Sequence, residues 1–175
     1  MSKSGKPAKF VVKTKKEPLY VRIIKYLMLA AFAYGGVFWG SVTLLSLIRG
    51  AYVDFSPPAW VGICMGAGEA LIIGAMVLAW LRKYVFAFAA SLAGTVLYCI
   101  ATRWFVKTAK HELETRAVTN DLLDLDKQYI YRAVPVAVGA ALALVLSVIS
   151  IVRAVRKKRS AQREKQSLPV KSIID

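Results

Sequence analysis

Apolar residues occur in four long blocks along the chain, and short charged or polar connectors separate the blocks. They cover about residues 23–48, 59–81, 84–102 and 133–152. Each block reaches the roughly 20 residues that a helix needs to cross the hydrocarbon core of a bilayer. Helices are expected because lipid offers no hydrogen-bond partners, whereas a helix satisfies its own backbone. The pattern predicts an all-α, polytopic membrane protein with four transmembrane helices in an antiparallel bundle.

The segments outside the blocks complete the predicted organisation. Residues 1–22 and 153–175 form basic tails, and the first is expected to be disordered because it has little apolar surface to bury. Residues 103–132 form the one sizeable connector, predicted as an external loop. Within it, apolar residues at helical spacing favour a continuation of the third helix, and "TND" at 119–121 favours a break before a second short helix. The loop is either a solvated connector or a contact surface.

Basic residues are distributed unevenly about the four blocks. The net charge is +15, and most of the 25 basic residues lie in the two tails and the link at 82–83. The positive-inside rule therefore places both termini in the cytosol, with the cell membrane as the expected location. Cations beside a membrane attract anionic lipid headgroups, by about 1 kcal/mol per nearby residue. The lipid bilayer, and no nucleic acid, is the expected partner of the tails.

A single acid interrupts the second block: Glu69 lies near the middle of VGICMGAGEALIIGAMVLAW, residues 61–80. A charge at the bilayer centre costs on the order of 2.5–3.5 kcal/mol on insertion scales. No Lys or Arg occupies the middle of another predicted span to offset it. The carboxyl group is therefore expected to face the bundle interior and to bond to hydroxyls. Those at comparable depth are Tyr34, Ser41, Thr43, Thr95 and Tyr98, and the partners proposed are Tyr34, Thr95 and Tyr98.

Two roles for Glu69 follow from this position, besides incidental placement. As a structural group, a neutral carboxyl fixes helix packing by hydrogen-bonding across helices. As a working group, it binds and releases a proton or cation during transport, and an intramembrane acid is a functional hypothesis by default. Carriers with proton coupling usually have more polar spans or broken helices. The structural role is therefore preferred.

Every predicted helix has a face of small residues, which lets another backbone come close. The face is most regular in the second block, where small residues are four apart. The helix-packing positions proposed are Gly36, Gly40, Gly62, Gly66, Ala70, Gly74, Ala90 and Gly94. These faces serve either internal packing of the four helices or association with another chain.

Motifs for catalysis or cofactor binding are missing from the sequence. It has no phosphate-binding glycine loop, no His/Cys metal spacing and no nucleophile–base set. We therefore predict no catalytic residues, no metal and no cofactor. Cys64 and Cys99 are either bridged or two buried thiols. The expected function is a non-enzymatic membrane subunit or scaffold, acting as a homo-oligomer or with a membrane protein partner. The alternative is a small oligomeric proton- or ion-coupled transporter or channel that uses Glu69.

Overall fold

The computed structural model describes residues 17–48, 58–115 and 125–167, and within these ranges all regular structure is helical. The chain forms α1 at Leu19–Phe32, a π-helical segment at Ala33–Phe38, and α2 at Trp39–Ile48. It continues with α3 at Ala59–Trp80, α4 at Tyr84–Thr115 and α5 at Leu125–Ser167. The prediction that residues 1–22 are a disordered tail concerns mostly residues outside the described part of the chain, which begins at residue 17.

Four helical stretches are long and apolar enough to cross a membrane, judged by length and composition. They are Leu19–Leu45, Ala59–Trp80, Tyr84–Thr108 and Tyr129–Arg163. The prediction of an all-helical chain with four helices of this kind is confirmed. The first stretch is not one uniform helix, since the π segment joins α1 to α2.

The segment 103–132 is helical at both of its described ends. α4 runs on to Thr115, and it buries Phe105 and Val106 beyond the predicted end of the third span. The predicted separate short helix is wrong, because α5 begins at Leu125 and continues through Pro135 without interruption. A proline inside a helix removes one backbone hydrogen bond. Packing against the other helices compensates here, since Pro135 lies directly against Gly35.

Contacts between the helices depend on glycine at a few positions. A Cβ atom on Gly68 would lie 2.9 Å from the Tyr98 backbone nitrogen and 3.0 Å from the Gly94 carbonyl oxygen. A Cβ atom on Gly139 would lie 2.6 Å from two ring carbons of Phe32. The first contact holds α3 close to α4, and the second holds α1 close to α5. Gly68 and Gly139 were not among the predicted packing positions.

A tight turn connects α3 to α4 and determines how they meet. The Arg82 nitrogen donates to the Ala79 carbonyl at 3.1 Å, and the Lys83 nitrogen donates to the Leu78 carbonyl at 2.8 Å. This is the Schellman pattern of helix ends, which normally places glycine in the left-handed conformation. Here Arg82 adopts it, with φ of 61°. The Arg82 side chain forms an ion pair with Glu17, a contact that glycine at this position would lack.

Candidate functional site: a buried polar cluster around Glu69

Glu69 lies on the face of α3 that packs into the protein. Met65 and Ile72 share that face, at four and three residues from it, and both are fully buried. Glu69 itself is only 7% exposed. The helical spacing that buries its apolar neighbours thus also buries the carboxyl group, as the interior-facing prediction requires.

The two oxygens of the Glu69 carboxyl group have different surroundings. Ser41 Oγ donates a hydrogen bond to Oε1 at 2.6 Å. Oε2 is buried and has no hydrogen-bond partner among the described residues. It lies beside Gly40, where a Cβ atom would be 3.1 Å from Oε2 and 3.3 Å from Cε2 of Tyr98. Gly40 therefore brings the first apolar stretch into contact with both polar side chains.

Tyr98 supports the π segment. Its hydroxyl donates to the Gly35 carbonyl at 2.8 Å, and the side chain is fully buried. A π turn shifts backbone hydrogen bonding by one residue and occurs often at functional sites. The Tyr98 hydroxyl bonds at this irregular turn, where Gly35 and Gly36 also contact α5 and α3 without a Cβ atom.

The hydroxyl groups proposed as partners of Glu69 take other positions. Tyr98 adjoins the carboxyl group but bonds to the π segment. Thr95 Oγ1 is buried and has no partner among the described residues. Tyr34 is 48% exposed and lies against Phe38, with ring centroids 6.4 Å apart. Ser41, one of the hydroxyls at comparable depth, makes the bond instead.

A buried cation that the sequence reading missed lies near this cluster. Arg132 is 6% exposed, and its Nη1 donates to Thr43 Oγ1 at 2.9 Å. The guanidinium group also lies 5.2 Å from the ring centroid of Trp39, a cation–π arrangement.

Arg132 lies just before the fourth predicted span, outside the mid-span positions considered for an offsetting cation, and its side chain contacts Thr43 and Trp39. Helical spacing carried the signal: Arg132 lies four and eight residues before Val136 and Ala140, and all three are buried. The long side chain of arginine lets its charge sit well away from its own backbone position.

The predicted small-residue positions divide into two groups. Gly36, Gly40 and Gly94 are tightly packed inside the protein against other helices. At Gly62, Gly66 and Gly74, in contrast, a Cβ atom would meet nothing within 4 Å. Ala70 is exposed and Ala90 is half-buried. The row Gly62, Gly66, Ala70 and Gly74 is called the outer stripe below.

A second polar cluster, centred on Glu17, lies at the turn that follows the carboxyl-terminal end of α3. Lys25 Nζ lies 3.1 Å from its Oε2, and Arg82 Nε lies 3.2 Å from its Oε1. Tyr84 donates to Oε1 at 2.6 Å. Burial raises the pKa of Glu17, but the hydrogen bonds from Tyr84 and Lys25 and the two positive charges outweigh it, so the pKa is lowered overall. This carboxylate ties the start of α1 to the α3–α4 turn.

The remaining candidate groups do not form a site. Cys64 and Cys99 are free thiols and both are half-buried. Within the described ranges, no three His, Cys, Asp or Glu side chains are placed to hold a metal ion.

The chemistry available around Glu69 is therefore hydrogen bonding and proton exchange by one carboxyl group beside hydroxyls. Comparison of the chain with models of protein families, with curated proteins and with solved structures finds no match. Function must accordingly be argued from this chain's own surfaces.

Proposed function

We propose that this protein is a non-enzymatic integral membrane subunit that associates with another membrane-embedded chain through the outer stripe. Its four apolar helices form an antiparallel bundle in the cell membrane, with both termini in the cytosol. The basic tails lie on anionic headgroups, and the 103–132 segment adds contacts outside the membrane.

The observation that carries the proposal is the open space at Gly62, Gly66 and Gly74. Glycines in a helix allow another backbone to pack close against them, as Gly68 and Gly94 do inside the protein. Among the described residues of one chain, Gly62, Gly66 and Gly74 of the outer stripe have no such neighbour. Small residues four apart are typical of faces at which two transmembrane helices meet. The stripe therefore suits a helix of another chain with a small-residue face.

Substituting one stripe residue tests the proposal. Gly66→Leu places a large side chain on the stripe, at a position where even the first side-chain atom, Cβ, would meet no neighbouring helix among the described residues within 4 Å. Ala93→Leu is the control, since Ala93 is an exposed small residue on another helix, α4. The native mass of the gently solubilised protein is measured, and every co-purifying chain is identified.

A stoichiometric foreign chain that Gly66→Leu loses and Ala93→Leu retains is the expected result. A monomer in wild type and both variants would contradict the proposal. A homo-oligomer without a foreign chain would shift support to the alternative below.

The alternative function is a small oligomeric proton- or ion-coupled transporter or channel, with Glu69 as the coupling group. Two observations favour it. Oε2 of Glu69 is buried without a hydrogen-bond partner in the part of the chain that the structure describes, and the first apolar stretch, which packs beside Glu69, contains the π segment Ala33–Phe38. Glu69→Gln keeps one hydrogen-bonding oxygen but cannot titrate. In proteoliposomes with an imposed pH gradient, a coupled carrier loses proton flux with this variant while assembly is intact. A subunit without transport shows no flux in either form.

A further inference from the structure

A cavity lies between α4 and α5, and three of the five residues that line it are basic. Its volume is about 420 Å³, and it is lined by Arg103, Val106, Lys107, Lys110 and Tyr129. This volume falls within the roughly 300–1,000 Å³ of typical ligand pockets. Four of the lining residues come from α4 and one from α5, so the space exists only because the two helices continue beyond the predicted spans.

The three cations of the cavity form one row. Arg103, Lys107 and Lys110 are four and three residues apart, which places them on one face of α4 over a length of about 10 Å. Arg103 and Lys107 are exposed, and no ion pair among the described residues involves either of them. Arg103 and Lys107, one turn apart and without an ion pair among the described residues, repel each other unless an anion is present. The row is therefore suited to an anionic ligand.

The remaining lining is largely apolar and close to an aromatic pair. Val106 is 6% exposed and contributes an apolar wall, while Tyr129 adds an aromatic ring. Trp104, adjacent to Arg103 in the chain, packs edge-on against Trp60 with ring centroids 5.4 Å apart. Tryptophans are enriched at the headgroup level of membranes. A cavity at this level lies beside both the phosphate groups and the upper acyl chains of the lipids.

We propose that this cavity binds the phosphate headgroup of an anionic phospholipid, with the cation row holding the phosphate and the Val106 wall contacting the glycerol and upper acyl region. The site rests on the membrane insertion proposed above, but it does not depend on the outer stripe or on Glu69. It differs from the general attraction of the basic tails, because it is a defined cavity near the opposite end of α4 from Tyr84.

Native mass spectrometry of the full-length protein in a nonionic detergent tests the site. Dioleoylphosphatidylglycerol is titrated and the bound lipids are counted, with dioleoylphosphatidylcholine and inorganic phosphate in parallel. The test variant is Arg103→Gln/Lys107→Gln, whose two positions are exposed and so leave the core unchanged. The control is Arg156→Gln/Lys157→Gln on the exposed end of α5, which removes the same charge.

The expected result is one saturable phosphatidylglycerol per chain whose dissociation constant rises about thirtyfold in the test variant and is unchanged in the control. Equal weakening in both variants, or equally tight phosphatidylcholine, would overturn the site as a specific one. Displacement of the lipid by inorganic phosphate at similar concentration would assign the cavity to a free anion and overturn the lipid proposal. The same spectra report any associated chain, so failure of the subunit proposal is recognised separately.

Discussion

The contact between α3 and α4 gives the sharpest prediction about stability. In Gly68→Ala, the new Cβ atom would meet the Tyr98 backbone nitrogen at 2.9 Å, the Gly94 carbonyl oxygen at 3.0 Å and the Tyr98 Cα atom at 3.2 Å. All three neighbours are backbone atoms, so no side chain can rotate away. The two helices must separate, and apolar contacts along their interface loosen.

The magnitude follows from two opposing effects. Overpacking of a well-packed interior costs about 1–3 kcal/mol. Alanine is favoured over glycine inside a helix by up to about 1 kcal/mol, which offsets part of that cost. Gly66→Ala provides the matched control, since it has the same propensity gain and meets nothing within 4 Å. The two variants should therefore differ in free energy of unfolding by about 1–3 kcal/mol, with Gly68→Ala the less stable.

Unfolding in mixed micelles of increasing dodecyl sulfate content, followed by circular dichroism, measures the difference. Native mass is recorded alongside, because Gly66 lies on the outer stripe and a change in association would alter its apparent stability. If Gly68→Ala and Gly66→Ala unfold at the same detergent composition, the close α3–α4 contact described here is wrong.

Three further predictions use the same unfolding measurement. Ser41→Ala removes the only hydrogen bond that Glu69 receives among the described residues, and should lower the free energy of unfolding by about 1–3 kcal/mol. Tyr98→Phe removes the buried hydrogen bond to the Gly35 carbonyl and should cost about 0.5–1.5 kcal/mol, whereas Tyr34→Phe, half-exposed, should cost little. Glu17 has a lowered pKa in the folded protein, so its contribution is present above its ordinary value of about 4.3 and is lost as the pH falls through the lowered pKa.

Each of these has an outcome that contradicts it. Ser41→Ala with unchanged stability would mean that Glu69 finds another partner. Equal effects of Tyr98→Phe and Tyr34→Phe would mean that the hydrogen bond from Tyr98 to the Gly35 carbonyl adds no stability. For Glu17, the stability difference between wild type and Glu17→Gln should be constant at neutral pH and should shrink in acid. A difference that grows in acid would reverse the sign argued here.

The existence of four long apolar helices could be read from the sequence because each apolar block has about the length that a helix needs to cross a bilayer. Chain segments of 20 apolar residues bounded by Arg, Lys and Pro leave little freedom in where a helix lies. The burial of Glu69 also followed from the sequence, since a carboxyl group near the middle of an apolar block is poorly suited to face lipid. These inferences depend on composition along the chain and not on which faces meet.

Tertiary structure alone decided the direction in which each face points. Both lipid and the protein interior are apolar, so a sequence such as that of α3 lacks the polar face that identifies the outside of a soluble helix. Gly66 and Gly68 illustrate this: two residues apart, one meets open space and the other a backbone. The π segment likewise lies where helices distant in the chain meet, and no periodicity within one helix encodes such a contact.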